Sequence, residues 1–304
     1  MNCTRKHTLV TGASSGIGRA TALRLATAGQ HVYAGVRREA DGAQLIRAAA
    51  GGEVTPVRLD VTEASQIAEA AAEIEGHAPG GLDGLVNNAG YGLASPTELV
   101  PLEAFRRQLD VNVTGQLAVT QAMLPLLRRA AGRIVIVSTI GVRFNPPFAG
   151  PLDAAKAALT ALADSLRQEL TPWDIRVVLV EPASINSGAA DKVSRDAAAA
   201  MAAASPQGRA LYQATFANML AVMNKREGRG SPPDVAAATI TRALTTSRPR
   251  AIYLTGKDSR RLALLSLLPI PVLDAAKRRV FGLPAPGSLV APPATTRPPS
   301  PVAR

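Results

Sequence analysis

Residues 11 to 18 read Thr11-Gly12-Ala13-Ser14-Ser15-Gly16-Ile17-Gly18, and this stretch gives the clearest indication of the fold. It follows a short apolar run beginning at His7 that is typical of a buried strand, and it leads into a stretch with helical character. Glycines between a strand and a helix allow a tight turn and a close approach by phosphate, and free amides at a helix start attract negative charge. In this context the loop predicts pyrophosphate binding from a dinucleotide, whereas an isolated glycine triplet would predict only a turn.

The rest of the chain alternates between strand-like and helical segments. Runs such as Ile134 to Val137 and Val177 to Val180 are apolar throughout, which indicates burial on both faces. Such strands, joined by helical crossovers, predict an α/β fold with a doubly wound parallel sheet, a Rossmann-type three-layer sandwich with ligands at the carboxyl ends of the strands. The candidate strands are 7–11, 31–36, 54–59, 82–86, 133–138, 175–180 and 251–254.

Charge divides the chain into a balanced main part and a basic C-terminal part. Of 34 Lys+Arg and 23 Asp+Glu, residues 205 to 304 hold 15 basic and 4 acidic side chains. We predict a single domain over residues 1–256, in which residues 184–230 form either a substrate lid or a surface excursion. A basic and apolar C-terminal extension at 257–283 follows, and then a proline-rich disordered tail at 284–304.

Composition excludes several functional classes. The single cysteine, Cys3, and three histidines provide neither a disulfide nor zinc-ligand spacing, so we expect no metal and a reducing, cytoplasmic location. The N-terminus runs through Arg5 directly into the first strand, which predicts no secretory signal. The basic excess invites a nucleic-acid interpretation, but binding motifs are missing and aromatic side chains for stacking are scarce, so we expect no nucleic-acid partner.

One apolar tract, Leu262 to Leu273, is too short for a transmembrane helix and contains Pro269 and Pro271. Basic side chains flank it, so residues 260–280 predict either peripheral contact with an anionic membrane or packing over the substrate mouth or a partner subunit. Packing is the interpretation that the tract favours.

The end of the second strand distinguishes between the two nicotinamide cofactors. An acidic residue there would bind the ribose hydroxyls and repel a 2′-phosphate, but Arg37 and Arg38 occupy this position. Two guanidinium groups favour NADP(H) over NAD(H) unless they are merely solvated surface arginines, and Glu39 beside them weakens the preference.

These motifs resemble those of the short-chain dehydrogenases/reductases, with similarity from about His7 to Leu254. The loop is similar to the family's Thr-Gly-x-x-x-Gly-x-Gly, and its retinol and hydroxysteroid dehydrogenase branch is the most similar. The resemblance implies an NADP(H)-dependent oxidoreductase that transfers hydride to or from a small apolar alcohol or carbonyl substrate, as a homodimer or homotetramer. It implies a cofactor site formed by Gly12, Ser14, Ser15, Gly16, Ile17, Gly18, Arg37, Arg38, Asp60, Val61, Asn87, Asn88, Ala89, Gly90, Lys156, Pro182, Ile185 and Ser187.

The catalytic residues depart from the family pattern at one position. The family has an asparagine on a helix, a serine after the fifth strand and a Tyr-x-x-x-Lys pair, and the resemblance assigns these roles to Asn112, Thr139 and Lys156, with Leu152 in place of the tyrosine. Leucine transfers no proton, so carbonyl reduction should be slower by about 10²- to 10⁴-fold.

Asp153 and Tyr91, which could border the same cleft, are the two candidates to replace the missing acid. One helical step turns Asp153 about 100° away from Leu152, which makes it a poor replacement, and Tyr91 is far from this helix in sequence. Ala183 and Ser187 also differ from the glycine and threonine usual in the family. Two functions therefore remain open: an impaired or altered oxidoreductase, which the retained residues favour, and a catalytically inactive dinucleotide-binding sensor or scaffold protein.

Overall fold

All seven predicted strands are present and form one parallel sheet. The computed structural model describes residues 5–288 of the chain. Several strand boundaries differ from the predicted ones by one or two residues. The strands are β1 His7–Val10, β2 His31–Val36, β3 Val54–Arg58, β4 Gly84–Asn87, β5 Arg133–Val137, β6 Arg176–Pro182 and β7 Ile252–Thr255.

Twelve helices connect or follow these strands in the described part of the chain. Most lie between consecutive strands, as crossovers between parallel strands require. They are α1 Gly16–Thr27, α2 Glu39–Ala48, α3 Ala64–His77, α4 Leu102–Leu109, α5 Gly115–Ala130, α6 Gly141–Phe144, α7 Gly150–Glu169, α8 Ala189–Ala202, α9 Pro206–Gly228, α10 Pro233–Thr245, α11 Ser259–Leu265 and α12 Ile270–Phe281.

The sheet has the order β3-β2-β1-β4-β5-β6-β7, which confirms the doubly wound prediction. The order reverses between β1 and β4, where Leu9 pairs with Leu85. In open α/β sheets ligands bind beyond the carboxyl ends of the strands at such a reversal. The glycine loop follows β1 directly, and so it lies at this point.

Apolar side chains cover both faces of the sheet, which is why the strands are apolar throughout. On one face, α3, α5 and α7 contribute residues such as Ile67, Met123 and Leu159. On the other face, α1 and α10 contribute Leu25 and Ile240. The two layers hold the sheet rigid, so the loops at its carboxyl edge are held in fixed positions.

A third apolar cluster lies outside the sheet and joins the predicted lid to the C-terminal extension. Helices α8 and α9 contribute Met201 and Phe216, and the segment after β7 contributes Leu262, Leu273 and Phe281. The extension thus packs on the lid through these residues. The predicted tail at 284–304 lies outside the described residues from 289 onward.

Residues 5–288 contain neither a membrane-spanning helix nor a cluster of metal-ligating side chains. No helix in this range is both long and apolar enough to span a bilayer. Within the same range, no group of three or more His, Cys, Asp or Glu side chains has an arrangement suited to a metal ion.

Candidate active site

Side-chain hydrogen bonds join the glycine loop to the segment that follows β4. The Thr11 hydroxyl accepts the backbone N–H groups of Asn88 and Ala89 at 3.0 and 2.9 Å. The Asn88 side-chain amide donates to the carbonyl oxygens of Thr11 and Gly12 at 3.0 and 3.2 Å. These bonds fix the two loops that border the crevice at the strand reversal.

The glycines of this loop are required by the geometry. Gly12 and Gly16 have φ angles of +63° and +53°, in the left-handed region that favours glycine. A Cβ at Gly18 would lie 2.2 Å from the Gly12 carbonyl oxygen and 2.5 Å from the side-chain nitrogen of Asn88. The first turn of α1 therefore packs directly on the loop that precedes it.

The start of α1 offers donors to an anion. No side chain caps this helix, and the first amides of a helix have no acceptor within it. Ser14 and Ser15 are exposed beside these amides, and Ile17 is half-buried. A narrow turn lined by backbone N–H groups fits the pyrophosphate of a dinucleotide.

The two arginines after β2 are exposed but differ in their contacts. Arg38 donates two hydrogen bonds of 2.9 Å to the carboxylate of Asp41. Arg37 forms no salt bridge within residues 5–288. Arg37 is thus the guanidinium available to a phosphate here, while Arg38 is already neutralised by a carboxylate.

Asp60 and Val61 follow β3 at the same edge of the sheet. Asp60 Oδ1 accepts hydrogen bonds from the Thr62 N–H at 3.1 Å and from the Thr62 hydroxyl at 2.8 Å. Val61 is buried, and its carbonyl oxygen would lie 2.6 Å from a Cβ at Gly115. These contacts shape the turn and attach it to α5.

Asn87, the last residue of β4, has a different environment from the three residues that follow it. Its side chain is buried and donates to the Thr120 hydroxyl of α5 at 2.7 Å. Asn88, Ala89 and Gly90 lie at the crevice instead, where they are half-buried or exposed. Asn87 therefore supports the segment from behind.

Asn112 lies in a π-helical turn, Asp110–Thr114, between α4 and α5. Such single turns are frequent at functional sites because they redirect one side chain. The fully buried Asn112 side chain donates to the carbonyl oxygen of Tyr91 at 2.9 Å and accepts the Tyr91 N–H at 3.0 Å. Asn112 thereby holds the loop after Gly90 in place.

Tyr91 presents its backbone, and not its phenol, to Asn112. Burial is the largest cause that raises the pKa of Tyr91, and the charges acting on it come from Arg107 and Asp110. No contact with Lys156 is found among the described residues to make this phenol its partner.

Lys156 is buried under the end of β5. Its ammonium group donates to the Val137 carbonyl oxygen at 2.7 Å, and burial lowers the pKa of Lys156 to about 8. Thr139 is half-buried two residues after Val137, and its hydroxyl accepts the Gly141 N–H at 3.1 Å. A lysine and a hydroxyl thus converge on the carboxyl end of β5.

Leu152 stands at the position where the family pattern has a tyrosine, and its side chain lies near Gly92, as does a side chain of α8. Its Cδ2 would be 3.5 Å from a Cβ at Gly92, and Val193 Cγ2 of α8 would be 2.8 Å from the same position. Gly92 therefore admits both apolar side chains into one small space. The sequence around Lys156 and Thr139 thus contains no tyrosine, and α8 approaches Gly92 beside Leu152.

The loop after β6 approaches the glycine loop. Ser187 Cβ would be 3.2 Å from a Cβ at Gly16, so the two loops face each other across the start of α1. Pro182 and Ile185 are buried, and an isolated bridge joins Ile185 to Ser231. These residues form the wall of the crevice opposite Asn88.

Asp153 is a residue whose role was not recognised in the sequence. It is only 4% exposed, its Oδ2 has no hydrogen-bond partner in the described chain, and burial raises the pKa of Asp153 to about 7. The spacing gave a signal, because Asp153, Lys156, Leu159 and Ala163 recur at three or four residues and share the buried face of α7. The rotation of Asp153 relative to Leu152 does not by itself indicate this burial.

A second missed feature is a charged pair beside the crevice. Arg143 of α6 donates two hydrogen bonds, at 2.5 and 3.1 Å, to the carboxylate of Glu181 in β6. Glu181 is 1% exposed, whereas Arg143 is about a third exposed. The pair ties the segment after Thr139 to the strand that carries Pro182.

The structure thus brings together most of the predicted site residues at the carboxyl edge of the sheet. The glycine loop, Asn88, Asn112, Thr139 and Lys156 all lie there. Asn87 is turned to the helix layer, where it contacts Thr120, and the Tyr91 backbone is bonded to Asn112. The retained groups can bind a dinucleotide and align a substrate, but Leu152 can donate no proton.

Comparison with known proteins gives a consistent pattern. The short chain dehydrogenase family model matches residues 6–198. The chain is 33% identical to retinol dehydrogenase 5 of Homo sapiens over 284 residues, which cover 91% of this chain and 89% of that protein. It is 34% identical to retinol dehydrogenase 16 of Mus musculus over 278 residues, covering 89% and 87% of the two chains.

Solved structures are similar over nearly the whole chain. A short-chain dehydrogenase from Streptomyces avermitilis is 27% identical with a TM-score of 0.69, covering 92% of this chain and 96% of that one. A short chain dehydrogenase from Burkholderia cenocepacia in complex with NADP is 26% identical with a TM-score of 0.68, covering 91% and 99%.

Proposed function

This chain belongs to the short-chain dehydrogenase family of NAD(P)-dependent oxidoreductases, and from that premise we propose that it binds NADP(H) and acts on an apolar alcohol or carbonyl compound. The observation that carries the proposal is the glycine turn at the head of α1, closed by Thr11 and Asn88 around backbone donors. An intact turn of this kind supports cofactor binding independently of the altered catalytic position.

Cofactor preference follows from charge at the end of β2. Arg37 has no carboxylate partner in the described chain, so it supports recognition of a 2′-phosphate through a charge-assisted hydrogen bond. Arg38 contributes less in this proposal because Asp41 already binds it. In NADP(H), the nicotinamide supplies or accepts the hydride.

The other site residues position the reactants. The Gly12–Gly18 loop holds the pyrophosphate, Asp60 and Val61 border the adenosine half, and Pro182, Ile185 and Ser187 border the nicotinamide half. Lys156 would hold the nicotinamide ribose through its ammonium group, and the Thr139 hydroxyl would orient the substrate oxygen. Asn112 fixes the loop at Tyr91 that forms the other side of the cleft.

An apolar substrate is supported by the lid. Met201, Phe216 and Met219 pack with Phe144 and Phe148 above the carboxyl edge of the sheet, and Val193 adds to this surface near Leu152. The names of the relatives, retinol dehydrogenases, are consistent with a bulky apolar alcohol as the substrate class.

A second function is favoured by the approach of both Leu152 and Val193 to Gly92. An apolar plug at the position of the proton donor suits a protein that binds the dinucleotide as a sensor or scaffold and catalyses nothing. The two functions share the cofactor and differ in turnover.

The test begins with NADPH and NADH titrations by fluorescence. Turnover is then measured on retinoid, steroid and medium-chain aldehyde panels with the wild type, Leu152→Tyr and Leu152→Phe. We expect NADPH binding, slow turnover, and a gain of about tenfold or more in Leu152→Tyr alone, because a positioned acid contributes about 10²- to 10⁴-fold. Cofactor binding with no turnover in any variant would support the sensor, and no binding of either nucleotide at millimolar concentration would refute both functions.

A further inference from the structure

The segment after β7 exposes a row of large apolar side chains. Leu264, Leu267 and Ile270 are 68%, 78% and 74% exposed, and Leu268 and Val272 are also exposed. We call these five residues the C-terminal ridge. Soluble surfaces rarely gather so many large apolar side chains within nine residues, so the ridge indicates a contact surface.

The ridge is held in place by its buried neighbours. Leu262 and Leu273, at its two ends, pack into the cluster that contains Phe216 and Met219 of α9. Phe281, at the end of α12, is fully buried in the same cluster. The apolar row between these anchors therefore projects as a formed surface.

Two clefts lined by basic side chains lie on elements that pack against the C-terminal helices, because α9 contacts α12 and β7 contacts α11. One cleft of about 230 Å³ is lined by Lys225, Arg226, Arg229 and Lys257, together with Asp258. Another of about 210 Å³ is lined by Arg242, Arg250 and Arg260, together with Tyr253. We call these seven cations the basic rim.

The rim has no salt bridges among the described residues, and one of its cations, Arg260, lies on the helix where the ridge begins. Not one of its seven side chains forms a salt bridge within residues 5–288, although eleven such pairs occur elsewhere in that range. Arg260 and Leu264 are four residues apart in α11, so they lie on one face of that helix. Exposed apolar and unpaired basic groups are thus presented together.

We propose that the C-terminal ridge and the basic rim dock this protein on an anionic phospholipid bilayer. In this arrangement the ridge enters the headgroup region, and the two clefts accept lipid phosphates or carboxylates. A lipid surface suits both features at once, because interfacial binding combines buried apolar area with attraction between basic side chains and acidic lipids. Since the anchors of the ridge, Leu262 and Leu273, share one apolar cluster with α8 and α9, docking also sets these two helices beside the bilayer.

The experiment is co-sedimentation of the full chain with vesicles of phosphatidylcholine alone or with phosphatidylserine added. We expect binding to the phosphatidylserine vesicles, with at least about tenfold weaker binding to phosphatidylcholine alone and at high salt. Leu267→Asp with Ile270→Asp should reduce binding by a similar factor, as should Arg226→Glu with Arg229→Glu. The matched controls are Leu102→Asp, at another 68% exposed leucine, and Arg47→Glu on α2.

Three results would overturn the proposal. They are equal binding to both kinds of vesicle, equal loss in the control variants, and a ridge variant that dissociates an oligomer in gel filtration while the wild type ignores vesicles. NADPH titration of each variant separates this proposal from the proposed function, because the ridge lies outside the cofactor crevice and its variants should leave cofactor affinity unchanged.

Discussion

The carboxyl group of Asp153 lies against Gly141, so closely that a Cβ at this glycine would be 2.3 Å from Asp153 Oδ1. Glycine at position 141 therefore makes room for a buried acid in the first turn of α7. This acid lies beside the segment that carries Thr139, whose Cγ2 would be 3.2 Å from the same Cβ. The contact relates the stability of the site to the protonation of one carboxyl group.

Asp153→Ala should stabilise the protein at pH 8 and have less effect at pH 5. The folded pKa of about 7 exceeds the ordinary 3.8, so ionisation of Asp153 disfavours folding. The cost is absent below pH 3.8, grows between pH 3.8 and 7, and is constant above pH 7, where it corresponds to about 4 kcal/mol before the loss of packing is subtracted. Thermal unfolding of the two proteins across this range measures the difference, and an equal shift of Tm at both pH values would contradict the assignment.

Arg143→Ala should destabilise the protein by about 3 kcal/mol or more, because it leaves the carboxylate of Glu181 buried without its partner. The control is Arg106→Ala, which breaks an exposed pair with Glu103 and should cost less than about 1 kcal/mol. Urea denaturation of both variants gives the comparison. Equal destabilisation of the two variants would show that burial of Glu181 adds nothing to the cost of losing its partner.

Gly18→Ala should weaken NADPH binding by about tenfold or more, because the new methyl group would overlap the Gly12 carbonyl oxygen and displace the turn. Gly76→Ala is the matched control: this helical glycine has open space around its Cβ, and alanine there should leave affinity unchanged and slightly raise stability. Fluorescence titration with NADPH distinguishes the two, and normal affinity in Gly18→Ala would remove the glycine turn from the cofactor site.

Arg37→Ser should lower NADPH affinity by about tenfold or more while leaving NADH affinity nearly unchanged, since a hydrogen bond to a charged group contributes about 1.5–3 kcal/mol. Arg47→Ser removes an exposed arginine from α2 as a control. The measurement is the ratio of the two dissociation constants in each variant. If the ratio does not change in Arg37→Ser, recognition of the 2′-phosphate lies elsewhere.

Local sequence was sufficient for much of the fold. Uniformly apolar runs such as Ile134 to Val137 predicted strands covered on both sides, because period and composition report burial directly. The glycine loop was recognisable since its function needs residues without side chains at fixed spacing. The replacement at Leu152 was visible for the same reason, because Lys156 four residues later kept the register intact.

Other parts of the site depend on contacts between distant segments. Val193 reaches Gly92 from a helix about a hundred residues away along the chain, and no local pattern encodes that approach. The pairing of Arg143 with Glu181 likewise joins α6 to β6. These contacts can be predicted only when the packing of α6 and α8 on the rest of the chain is known, and this packing is a property of the whole fold.

The amino-acid sequence predicts the parallel sheet, the glycine turn and the leucine at position 152 where the family has a tyrosine. Each of these features depends on residues that are close together along the chain. Tertiary contacts bury Asp153 with no hydrogen-bond partner for its Oδ2 among residues 5–288. They also pair Asp41 with Arg38 while Arg37 has no salt bridge in that range, and they leave the C-terminal ridge facing solvent. The physical reason is that burial and charge compensation depend on which side chains meet in space.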